Sequence, residues 1–142
     1  MSMDKQLETP QARILVVDDD PFNLKILGNL LHTYYDVLVA PSGERALEIA
    51  TSAKPDLILL DVLMPGMDGY DVLARLRENP VTRDIPVIFT TGLDSAEDEE
   101  KSLKLGAVDF ITKPYRAPIV LERVRIQLER KHARGIFHPQ TD

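Results

Sequence analysis

The chain has 142 residues, 44 % apolar and 28 % charged, which is the size and balance of one water-soluble globular domain. Its net charge of −6 argues against a nucleic-acid surface, because phosphate contacts need clustered positive charge. Cysteine is absent, which excludes disulfide and thiolate chemistry, and no apolar run approaches the roughly 20 residues of a membrane helix. A cytoplasmic domain without membrane contact is the expectation.

Residues 1–11 are polar and aperiodic, ending near Thr9-Pro10, and read as a flexible leader. Arg13 to Val17 is a continuous apolar run, the pattern of a strand buried on both faces. It runs into Asp18-Asp19-Asp20 and Pro21, where Asp20 fits a helix N-cap with Pro at the first helical position. Leu24, Leu27 and Leu31, with Ile26 and Leu30 beside them, give that helix its spacing. Tyr35 to Ala40 is a second strand, less apolar and therefore expected near an edge. A helix from Pro41-Ser42-Gly43 buries Ala46, Leu47, Ile49, Ala50 and Ala53.

Asp56 to Leu60 is another buried run, and it stops on the carboxylate of Asp61 before a Pro65-Gly66 and Asp68-Gly69 turn region. The helix after Gly69 turns Val72, Leu73 and Leu76 inward and ends near Asn79-Pro80. Ile85 to Thr90 is the fourth strand, closing on Thr91-Gly92. Ser95-Ala96-Glu97-Asp98 has the form of a capping box, and Gly106 is a helix stop. Val108 to Thr112 is the fifth strand, ending in Lys113-Pro114. Ala117 to Arg134 is the last helix, with Ile119, Val120, Val124 and Leu128 as its apolar stripe, and 135–142 reads as a tail or linker. Five strand–helix repeats predict an α/β fold: a five-stranded parallel sheet with helices on both faces and all strand ends on one edge.

Asp18, Asp19, Asp61, Thr91 and Lys113 should therefore meet at the carboxyl edge, where open α/β sheets bind ligands. Carboxylates from two strands can hold Mg²⁺, which takes oxygen ligands. A carboxylate can also attack phosphorus, and a Lys ammonium and Thr hydroxyl can donate to phosphoryl oxygens. Singly, each residue has a plainer role as turn, strand former or surface.

The runs Ile14-Leu15-Val16-Val17-Asp18-Asp19-Asp20, Leu60-Asp61-Val62-Leu63-Met64-Pro65-Gly66-Met67-Asp68-Gly69, Pro86 to Gly92 and Gly106 to Pro114 closely resemble the receiver domain of bacterial two-component response regulators, over residues 12–134. The resemblance implies a flavodoxin-like (βα)5 fold with Asp61 as phosphoacceptor in a Mg²⁺-dependent reaction. It implies Asp18, Asp19, Asp61 and the main-chain carbonyl of Leu63 as the metal site. Thr91 and Lys113 then contact the phosphoryl group, and Thr91 and Phe110 form a switch. The Lys113-Pro114 bond is expected to be cis. Implied partners are a sensor histidine kinase or histidine phosphotransfer protein and an output domain. The long charged last helix resembles receivers joined to cyclic-di-GMP enzymes. A homodimer through the fourth helix, fifth strand and last helix is also implied. Such a domain signals; it helps its own phosphorylation and dephosphorylation but is not an enzyme.

Three rivals remain. An aspartyl-phosphate phosphatase would want a second carboxylate shortly after Asp61, where Leu63 stands. A degenerate receiver used only for protein contacts would not need the full set of site residues. A flavodoxin-like cofactor carrier would want a Gly-rich loop where this chain has acids.

Overall fold

The computed structural model describes residues 11–92 and 96–137. The elements alternate as β1 (Arg13–Val17), α1 (Pro21–Leu31), β2 (Asp36–Ala40), α2 (Gly43–Ala53), β3 (Leu57–Asp61), α3 (Gly69–Glu78), β4 (Val87–Thr91), α4 (Ala96–Lys104), β5 (Asp109–Thr112) and α5 (Ala117–Phe137). All strands are parallel, in the order β2-β1-β3-β4-β5.

Strand periodicity sorts the core into two layers. Ile14, Val16, Leu57, Leu59, Ile88 and Ile111 pack against Leu27 and Leu31 of α1 and Val120 and Val124 of α5. Leu15, Val17, Ile58, Leu60, Val87 and Phe89 face the other way, onto Ala46 and Ala50 of α2 and Val72, Leu73 and Leu76 of α3. β3 is buried at every position, as its unbroken apolar run requires, whereas the mixed sequence of β2 lies at the edge. The chain leaves β1 for β2 on one side and returns to β3 on the other. The carboxyl ends of β1 and β3 therefore flank the crevice where strand order reverses.

Helix starts follow local chemistry. The Asp20 carboxylate accepts from the Phe22 amide, the Ser42 hydroxyl accepts from the Arg45 amide, and Asp68 and Asp71 form a reciprocal capping box that opens α3. That box was not expected; the sequence there reads as a turn. Gly106 follows α4 at φ +106°, the stop expected of it. The box expected at Ser95 lies outside the described residues.

Two expectations for the last helix are corrected. It runs three residues past Arg134, to Phe137. Ile119 is 42 % exposed, because the stripe that meets the sheet runs through Val120 and Val124, and Ile119, one residue before Val120, is turned about 100° away from it.

Arg77, at the end of α3, ties three segments together. Its Nη1 donates to the carbonyls of Arg83 and Ile85 at 3.0 Å each, and its Nη2 to that of Gly106 at 3.1 Å. Removing a charged donor strands those carbonyls. Arg77→Met should cost about 2 kcal/mol in urea unfolding, and Arg77→Lys should recover little of it, lacking the planar fork.

Candidate phosphoacceptor site

Asp61 is the last residue of β3, 3 % exposed, and the strand delivers its carboxylate to the sheet's carboxyl edge. The Val62 amide donates to the Thr90 carbonyl and the Gly69 amide to the Val62 carbonyl, which fixes the backbone just past it. Asp18, directly after β1, is 1 % exposed. Its Oδ1 accepts from the Asp20 amide at 2.9 Å, while its Oδ2 has no hydrogen-bond partner. Asp19 is exposed at the mouth. One carboxylate oxygen from each of Asp18, Asp19 and Asp61 lies within 4.8 Å of the others.

Lys113 reaches over from the loop after β5. Its Nζ stands 3.2 Å from Asp61 Oδ1 and 3.3 Å from Asp18 Oδ2. Its amide donates to the Thr91 carbonyl at 2.8 Å, and the Lys113–Pro114 bond is cis, as the resemblance implies.

Charge crowding shows in the protonation of these groups. Burial, with the Asp18 charge beside it, pushes the Asp61 carboxyl up to about 6 despite the opposing pull of Lys113. Burial works against the Lys113 ammonium, but Tyr115, Asp61 and Asp18 outweigh it and the pKa is raised. Lys113 stays charged. Two buried acids share this single ammonium, with a third acid alongside, so negative charge remains in excess. A divalent cation suits that excess and the three carboxylate oxygens that converge within 4.8 Å, so the residues fit Mg²⁺.

Thr91, the final residue of β4, is fully buried. Phe110, expected to act with Thr91 as a switch, is also buried, pairing in register with Phe89 inside the α2–α3 layer. Leu63, expected to offer the site its main-chain carbonyl, is 59 % exposed. Sequence reasoning missed three contributors. Gly69 packs against the Asp61 backbone, Thr90 is the cross-strand neighbour of Asp61, and Tyr115 inserts behind Lys113. Only the Thr90-Thr91 doublet at a buried strand end offered a signal.

A parallel sheet whose switch crevice holds three acids and one bridging lysine defines an aspartate-centred phosphoacceptor fold. The chain belongs to the response regulator receiver domain family, which matches residues 14–125. It is 42 % identical to a probable cyclic di-GMP phosphodiesterase of Vibrio cholerae over all of its own length and 32 % of that protein's. It is 48 % identical to response regulator PleD of Caulobacter vibrioides over 80 % of this chain and 25 % of PleD. The chain thus spans a third or less of these relatives. Among solved structures, the BeF3-activated receiver domain of Klebsiella pneumoniae RstA superposes with a TM-score of 0.75 at 37 % identity, covering 82 % of this chain and 97 % of that one. Among the described residues, no helix is long and apolar enough to cross a membrane.

Proposed function

We propose that Asp61 accepts a phosphoryl group from a sensor histidine kinase or histidine phosphotransfer protein. The observation that carries this is the meeting of the Asp18, Asp19 and Asp61 carboxylates within 4.8 Å, with Lys113 on two of them. An Asp61 Oδ–phosphorus bond forms as the phosphorus–nitrogen bond of the donor breaks, its electron pair staying on the imidazole. Asp18, Asp19, Asp61 and the Leu63 carbonyl would hold Mg²⁺, which would neutralise charge on the phosphoryl oxygens. Lys113, already beside Asp61, and the Thr91 hydroxyl donate to those oxygens as they arrive. With Phe110 already buried, the phosphorylated form stabilises an arrangement this aromatic can occupy beforehand, a population shift.

Intact mass after incubation with acetyl phosphate and Mg²⁺ tests the assignment. The native chain should gain one phosphoryl group and Asp61→Asn none. A phosphorylated Asn variant, or an unmodified native chain, refutes it. Asp19→Asn should keep the fold and weaken Mg²⁺ binding about tenfold or more by calorimetry, because an exposed metal ligand is lost at little structural cost.

The output is a cyclic-di-GMP enzyme or another domain beyond α5. Supporting this are the 21-residue length of α5 and the V. cholerae relative matched over the whole of this chain. Exposed Leu103, Leu105 and Ile119 favour a two-fold homodimer through α4, β5 and α5, in the cytoplasm.

A further inference from the structure

Behind Lys113, on the α1–α5 side of the sheet, three buried polar oxygens have no hydrogen-bond partner: Asp18 Oδ2, Thr90 Oγ1 and the Tyr115 hydroxyl. Buried polar atoms in folded proteins are overwhelmingly paired. The Asp18 oxygen has the Lys113 ammonium at 3.3 Å, so the two hydroxyls are the ones that call for a reason. They belong to one neighbourhood. Thr90 is the register partner of Asp61 on the adjacent strand, and parallel partners share a face. Thr90 is 1 % exposed, and its hydroxyl lies against the Tyr115 phenol, close enough to act on it without a well-formed hydrogen bond. Lys113, Asp18 and Asp61 are all near enough to Tyr115 to act on its charge.

The result is a ring, open only between the two hydroxyls, which face each other without a hydrogen bond. From Asp61 it passes across the sheet to Thr90, through the two hydroxyls to Tyr115, back along two residues of chain to Lys113, and through the ammonium to Asp61 and Asp18. The Lys113 backbone is held on its near side by the bond from its amide to Thr91. On its far side Tyr115 is the anchor, packed into the layer of Ile111, Val120 and Val124. A phenylalanine would fill that apolar space equally well. The hydroxyl is therefore surplus to packing, and it is set among groups that surround the Lys113 head.

We propose that Tyr115 is a positioning residue for Lys113. Its hydroxyl, braced by Thr90, holds the loop so that the ammonium stays between Asp61 and Asp18 and meets the incoming phosphoryl oxygens without searching. This deepens the phosphoacceptor reading and rests on it. Because Tyr115 acts through Lys113, its contribution should vanish when Lys113 is absent, whereas a packing role would persist.

The test uses the full chain carrying Tyr115→Phe, Thr90→Val or Thr90→Ser, in the native and the Lys113→Ala backgrounds. Two measurements are made: proton–nitrogen NMR of the Lys113 ammonium without any phosphoryl donor, and the initial rate of phosphorylation by acetyl phosphate with Mg²⁺. Tyr115→Phe and Thr90→Val should shift and broaden the Lys113 signal. Each should slow phosphorylation about threefold, the low end of what one hydrogen bond is worth in rate, since the two hydroxyls meet without a well-formed bond. Thr90→Ser keeps the hydroxyl and should keep the native rate. On the Lys113→Ala background, Tyr115→Phe should change the residual rate no further. An unaltered Lys113 signal in Tyr115→Phe overturns the proposal, as does a rate loss that persists without Lys113. If the native chain takes no phosphoryl group, the functional reading fails, while the Lys113 signal still decides the positioning role.

Discussion

In Mg²⁺-free buffer at neutral pH, Asp61→Asn should unfold at higher urea than the native chain, although it can no longer be phosphorylated. The sign follows from linkage. The Asp61 carboxyl rises from 3.8 to about 6 on folding, because burial and the Asp18 charge disfavour its ionised form. The native state therefore holds this proton more tightly than the unfolded chain. Stability from this group is complete below the unfolded value, falls as pH rises from about 4 to about 6, and stays reduced above. Two pKa units correspond to at most about 3 kcal/mol, and Lys113 loses part of an ion pair in the variant, so a net gain of about 1–2 kcal/mol is expected. Urea unfolding across this pH range should show the gap between variant and native chain opening between about pH 4 and pH 6. Added Mg²⁺ should close much of it, since a bound cation stabilises only the native chain that carries the full acid set. A variant less stable than native at neutral pH, or a gap independent of pH, would contradict this account of Asp61.

How much of this could be read from the sequence depends on how local the physics is. The unbroken run Leu57 to Leu60 announced a strand buried on both faces, and the weaker apolar character of β2 announced an edge. The carboxylates, Thr91 and Lys113 were legible because each ends a strand, and parallel topology gathers strand ends on one edge. What escaped was set by tertiary contact. Ile119 adjoins Val120 in the sequence but stands one helical position off the line of Val120 and Val124, and nothing local marks which of the two faces the sheet. Asp68 and Asp71 sit in a segment rich in turn residues, so a reciprocal cap could not be told from a solvated loop. Arg77 reads as one more surface cation, yet three carbonyls from two loops converge on it. Thr90 and Tyr115 are 25 positions apart in the sequence, and only the tertiary fold brings one beside Asp61 and the other behind Lys113.

Gly69 is the least legible of these, and its replacement should have the largest effect. In the sequence it closes an Asp-Gly turn, a place where glycine usually serves backbone freedom. In the fold it is the first residue of α3, and its role is space. A Cβ at Gly69 would stand 2.4 Å from the Asp61 carbonyl oxygen and 2.8 Å from Val62 Cα. Both obstacles are backbone, held by the Val62 amide on Thr90 and the Gly69 amide on Val62, so neither can rotate aside as a side chain would. Gly69→Ala must therefore push the start of α3 off the end of β3, and the peptide that carries Asp61 moves with it. Overpacking of this kind typically costs 1–3 kcal/mol, and a rigid backbone contact belongs at or above the top of that range, about 3 kcal/mol. For a chain of this size that lowers Tm by roughly 10 °C. Displacing the nucleophile by about 1 Å should also slow phosphorylation on the order of a hundredfold, measured under conditions where the variant remains folded. Gly28 provides the control: it lies within α1, and a Cβ there meets nothing within 4 Å. Gly28→Ala should stabilise by up to about 1 kcal/mol through helix propensity, with phosphorylation unchanged. Equal stability and equal phosphorylation rates for Gly69→Ala and the native chain would refute the close approach of α3 to β3 on which the position of Asp61 depends.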